Sequence, residues 1–60
     1  MVKEGSKWWA GDKVFQVINV LEIDNHTWVY YRTVKPVDEE PREYSCYIES
    51  FLQRFTALPE

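Results

Sequence analysis

Short polar turns divide this chain into runs of β-branched and aromatic residues. The longest run is Lys13-Val14-Phe15-Gln16-Val17-Ile18-Asn19-Val20-Leu21-Glu22-Ile23. Its residue types predict a strand. Its alternation is broken, however. Phe15 and Val17 share one face, Val20 falls on the other, and Asn19 interrupts. One extra residue near Ile18-Asn19, a β-bulge, returns Phe15, Val17 and Val20 to a single face and bends the strand. The second run, Thr27-Trp28-Val29-Tyr30-Tyr31-Arg32-Thr33-Val34, is the strongest strand signal. Asp24-Asn25-His26 reads as the turn that joins the two runs in a hairpin.

Around this hairpin the pattern predicts smaller elements. After a frayed start, Gly5-Ser6-Lys7-Trp8-Trp9 reads as a short strand, and Ala10-Gly11-Asp12 is a turn. Glu43-Tyr44-Ser45-Cys46-Tyr47-Ile48 alternates again as a strand. The period then changes. Phe51, Leu52 and Phe55 fall on one helical face, so Glu49–Phe55 reads as a helical turn that plugs an open end. Thr56-Ala57-Leu58 reads as a short closing strand. Between the second and third long runs lies Lys35-Pro36-Val37-Asp38-Glu39-Glu40-Pro41-Arg42, a polar stretch with two prolines that reads as an exposed loop.

Sixty residues hold one domain, residues 1–60. The expected fold class is all-β: a small SH3-like barrel of four to five antiparallel strands with a short C-terminal helical turn. The expected inward residues are Phe15, Val17, Val20, Val29, Tyr31, Cys46, Ile48, Phe51, Leu52 and Phe55.

Composition narrows the function classes. Three Trp, four Tyr and three Phe exclude a disordered chain. The single cysteine excludes an internal disulfide framework and a cysteine-rich zinc site. No apolar run approaches the ~20 residues of a membrane span. The first residues lack an apolar leader, so a cytoplasmic setting with a reduced thiol is expected. The net charge is -3, and it is unevenly placed. Residues 1–35 carry five cations against four acids, whereas residues 36–60 carry two against six. An acidic total argues against broad electrostatic binding to nucleic acid.

Candidate chemistry is sparse. There is no Gly-rich phosphate loop and no ligand pairing for a metal, so no cofactor is expected. His26 lies in a turn, and Cys46 alternates into the core. A nucleophilic Cys46–His26 pair would lack an orienting group and an oxyanion element. An enzyme is therefore not expected. Trp28, Tyr30 and Arg32 share the face opposite Val29 and Tyr31, and such a row suits a binding hot spot or a stiffening ladder. Of the adjacent Trp8 and Trp9, strand geometry sends one inward and the other outward. Alternation alone does not say which, and both could cover the barrel's ends; Trp9 is grouped with the candidate binding residues. Asp38, Glu39 and Glu40 could dock a basic partner or simply stay solvated.

Two stretches carry a family resemblance. Gly5-Ser6-Lys7-Trp8 followed by Gly11-Asp12-Lys13-Val14-Phe15-Gln16-Val17 resembles the opening of short bacterial and phage proteins with SH3-like barrels. Tyr47-Ile48-Glu49-Ser50-Phe51-Leu52-Gln53-Arg54-Phe55-Thr56 is similar to the Phe-x-x-x-Phe ending of short prophage proteins of unknown function. The resemblance implies a phage or prophage accessory protein and supplies no site residues. The leading expectation is a binding module for a host or phage protein, of counter-defence or takeover type, with self-association as a competitor. The alternative is nucleic-acid binding, with Trp28, Tyr30 and Arg32 stacking on bases and Lys7, Lys13 and Lys35 near phosphates.

Overall fold

A computed structural model describes residues 2–35 and 42–58 of the chain. Among these residues, five strands and one helix follow in order: β1 (Lys7–Ala10), β2 (Lys13–Ile23), β3 (His26–Lys35), β4 (Glu43–Tyr47), α1 (Ile48–Arg54) and β5 (Thr56–Ala57). The strands form one antiparallel sheet in the order β4-β3-β2-β1-β5. The result is a small all-β, barrel-like fold that is not closed, because β4 and β5 remain the two edges of the sheet.

Bending of β2 is what curls the sheet. Val17 pairs with Tyr31 and Asn19 with Tyr30, so Ile18 is the extra residue of a bulge. Asn19 supports it locally, its Oδ1 accepting the Val20 N–H at 2.9 Å. A second irregularity leaves Val34 unpaired between Thr33 and Lys35, opposite Phe15 and Val14. These kinks set Phe15, Val17 and Val20 on the concave face, as the broken alternation anticipates. The β2–β3 connection is tighter than the expected three-residue turn. Ile23 pairs with His26, and only Asp24 and Asn25 turn, both at positive φ (52° and 65°). That is the geometry of a two-residue primed hairpin, where Asp and Asn are the non-glycine residues best suited to the left-handed region. His26 is therefore a strand residue and not a turn residue.

Buried in the core are Val2, Trp8, Val17, Val29, Tyr31, Phe51 and Phe55, with Phe15, Val20, Cys46 and Ile48 packed against it. Phe51 lies at its centre. Its ring meets Trp8 edge-on at 5.1 Å and Tyr31 at 5.4 Å, and stacks on Phe55 at 4.4 Å. Seven residues are too few for a helix to persist alone, and Tyr47 gives α1 no side-chain cap. Packing of Phe51 and Phe55 into the concave sheet holds it instead. Leu52, expected to face inward, is 52% exposed. The stripe that docks is i and i+4, and the i+1 position has rotated toward solvent.

The start of the chain is not frayed over its whole length. Residues 3–6 form a turn closed by the Ser6 N–H on the Lys3 carbonyl at 3.1 Å, with Gly5 at φ 83°. The Gly5 N–H then donates to the Val17 carbonyl at 2.8 Å, and the Val17 N–H to the Ser6 carbonyl at 2.9 Å. This pairing seals Val2 over the core. The adjacent tryptophans part as strand geometry requires: Trp8 is buried and Trp9 is 47% exposed.

Candidate functional site

The convex face of β2, β3 and β4 carries the row Trp28, Tyr30 and Arg32. Cross-strand register places Leu21 and Tyr47 on either side of Trp28, Asn19 and Ser45 beside Tyr30, and Gln16 and Glu43 beside Arg32. Trp28 and Tyr30 are half-buried, while Arg32 is exposed. Tyr47 is the hub of the aromatic end. Its ring lies 4.5 Å from Trp28 and stacks on His26 at 4.7 Å. Leu21, Ile23 and Tyr47 are each at least 40% exposed, so the apolar surface continues across three strands. An open depression of about 370 Å³ lies on this surface, with Ile23, Asp24, His26, Trp28, Tyr30 and Tyr47 among its lining.

The structure brings together only part of the expected set. Trp28, Tyr30 and Arg32 form one row, as alternation requires. Trp9 does not join them. It pairs with Val14 and Thr56, seven residues along β2 from the Leu21 that neighbours Trp28, or roughly 20 Å of strand. Asp38, Glu39 and Glu40, with the rest of the loop 36–41, lie outside the described residues. Sequence reasoning did not name Tyr47, Leu21 or Ile23 as part of this surface. Alternation did send Tyr47 outward. Its position across from Trp28 depends on the β3–β4 register, which the long connection leaves open.

His26 and Cys46 cannot act as a pair. His26 stacks on the convex side, whereas Cys46 packs against the core on the concave side. Burial pushes the Cys46 thiol above its ordinary value, against a lowering by its hydrogen bond with Tyr31. Burial likewise raises the Tyr31 hydroxyl. A raised thiol keeps its proton, and the thiolate is the nucleophile. Cys46 should therefore react with a thiol reagent at pH 8 severalfold more slowly in the native protein than in urea. Equal rates would show that β4 does not hold Cys46 inward. The unfolded thiol ionises first, so the stabilising difference is complete below the ordinary thiol value and falls as pH rises through it.

Among the described residues, no three His, Cys, Asp or Glu side chains group to hold a metal, and no helix is long and apolar enough to cross a membrane. Comparison of the chain with protein-family models, curated proteins and solved structures finds no match.

Proposed function

We propose that the chain is a non-enzymatic binding module that docks a protein partner on the convex face of β2, β3 and β4. The continuous exposed surface of Leu21, Ile23 and Tyr47 around Trp28 carries this reading. Aromatic residues in a shallow, partly desolvated setting make effective hot spots because they offer large area at low entropic cost. Among the described residues, the depression has Asp24 in its lining and neither Lys nor Arg. Arg32, the cation of the row, sits across from Glu43. A surface that grips single-stranded nucleic acid pairs its stacking platforms with cations for the phosphates, so this charge pattern favours protein. The partner it suits offers an apolar anchor to Trp28 and Tyr47 and a neighbouring base to Asp24. Origin in a phage or prophage, and a role in modulating a host or phage protein inside a bacterial host, rest on the resemblance of the two sequence stretches.

The test begins with capture from bacterial lysate and proceeds to titration of the captured protein. Trp28→Ala and Tyr47→Ala should each weaken the complex by about 2 kcal/mol while circular dichroism stays native. Trp9→Ala, on a distant part of the sheet, should bind as the wild type does. Equal affinity for all three variants would overturn the assignment of the face. Sedimentation distinguishes a second copy as occupant, since a dimer would then dissociate on Trp28→Ala. Salt-sensitive quenching of tryptophan fluorescence by oligonucleotides would replace the protein partner with nucleic acid.

A further inference from the structure

The concave side of the sheet opens at one end into a second depression of about 210 Å³. It is independent of the convex face, being on the other side of β2, β3 and β4. Phe15, Tyr31, Tyr44 and Phe55 line it. Their rings are mutually arranged: Phe15 meets Tyr31 edge-on at 5.6 Å and Phe55 at 5.1 Å, and Tyr44 stacks on Tyr31 at 5.5 Å. Tyr44 is 40% exposed although it points to the concave side, so this end of the aromatic core is open to solvent.

Two cations border the rings. Lys13 enters from the start of β2 and Arg54 from the end of α1, and among the described residues no carboxylate lines the depression. The Arg54 guanidinium carbon lies 5.6 Å from the centre of the Phe55 ring. Its charge also acts on the Tyr31 hydroxyl, opposing the upward push of burial. In a chain of net charge -3, two cations at an aromatic mouth, with no carboxylate among its described lining residues, form a local positive site. A dry cavity of about 150 Å³ holds benzene, so this depression has room for one ring and a small charged group.

We propose that this mouth binds an aromatic or apolar carboxylate, with the apolar body on the rings and the carboxylate between Lys13 and Arg54. Guanidinium and ammonium donors bind a carboxylate through charge-assisted hydrogen bonds, and the edge-rich ring cluster accepts a planar body. A quaternary ammonium, which also favours aromatic cages, would face two like charges here. The same chemistry is offered by a free aromatic acid and by the C-terminal residue of a peptide.

The experiment is a nitrogen-15 NMR titration of the whole chain with four probes: benzoate, N-acetyl-L-phenylalanine, its neutral amide, and phenyltrimethylammonium. Saturable shifts at the amides of Thr33, Tyr44 and Phe55 are expected with an acid, at a dissociation constant on the order of 1 mM. The neutral amide and the cation should bind at least several-fold more weakly. Arg54→Gln and Lys13→Gln, both at exposed positions, should each weaken the acid about fivefold or more with the spectrum otherwise native. Tighter binding of benzoate identifies a free acid as the source, and tighter binding of N-acetyl-L-phenylalanine identifies a peptide terminus. Equal binding of acid and amide, insensitivity to both Gln variants, or no shift with either acid would overturn the proposal.

Discussion

Replacing Phe51 by alanine is expected to leave little folded protein at ambient temperature. Phe51 is completely buried and touches Trp8, Tyr31 and Phe55 by ring contacts. It is the point at which β1, β3 and α1 meet. Truncating a buried Phe costs about 3–5 kcal/mol, part in lost transfer energy and part in the cavity left behind. A 60-residue domain has a total stability of roughly 3–9 kcal/mol. The single change therefore consumes most of it. Urea titration followed by tryptophan fluorescence reads the effect as a lost or strongly lowered midpoint. Leu52→Ala on the same helix is the internal control, because Leu52 is 52% exposed, and it should shift stability by about 0.5 kcal/mol or less. Equal effects at the two positions would mean that α1 does not dock by its Phe51–Phe55 stripe.

Local chemistry made most of the elements legible. The Asn19 interruption reported the Ile18 bulge because a strand with one buried face cannot shift its alternation without an extra residue. The change of period at Glu49 reported α1, which begins one residue earlier, at Ile48. Non-local hydrogen bonds were not legible. Nothing in the residues before Gly5 signals that a turn over 3–6 will fold back beside Val17, so they read as frayed, whereas Val2 is buried. Leu52 reads as core because it lies beside Phe51 and Phe55 on the helical wheel, yet only the i and i+4 positions meet the sheet. At the convex site the row Trp28, Tyr30 and Arg32 followed from alternation within one strand. Its neighbours on β2 and β4 followed from inter-strand register, which the composition of neither strand encodes. That Trp9 stands apart from the row was not legible for the same reason: exposure and residue type are local, but distance across a bent sheet is not.

The adjacent tryptophans of β1 should give opposite outcomes to the same substitution. Trp8 is 5% exposed, Trp9 is 47% exposed, and one peptide separates them. Trp8→Ala should cost about 3–5 kcal/mol, the range for buried aromatic truncation. Trp9→Ala should cost less than about 1 kcal/mol. Trp8 also does more than fill space. Its indole Nε1–H donates to Ser6 Oγ at 2.9 Å, and that hydroxyl in turn donates to the Lys3 carbonyl. The side chain thus ties the N-terminal turn to the core through one hydroxyl. Trp8→Phe keeps much of the ring contact with Phe51 and removes only the N–H. It should cost less than the alanine variant, by retaining most of the apolar burial. It should nevertheless loosen the turn, which hydrogen exchange can detect at Gly5 and Ser6, whose N–H groups donate to the carbonyls of Val17 and Lys3. Faster exchange confined to those two amides, with the interior of β3 still protected, is the expected pattern. If Trp8→Phe leaves Gly5 and Ser6 as protected as in the wild type, the turn is held by its backbone pairing with Val17 alone. If Trp9→Ala proves as damaging as Trp8→Ala, the register of β1 against β2 and β5 is wrong, because a one-residue slip is the change that would exchange the two rings between core and solvent.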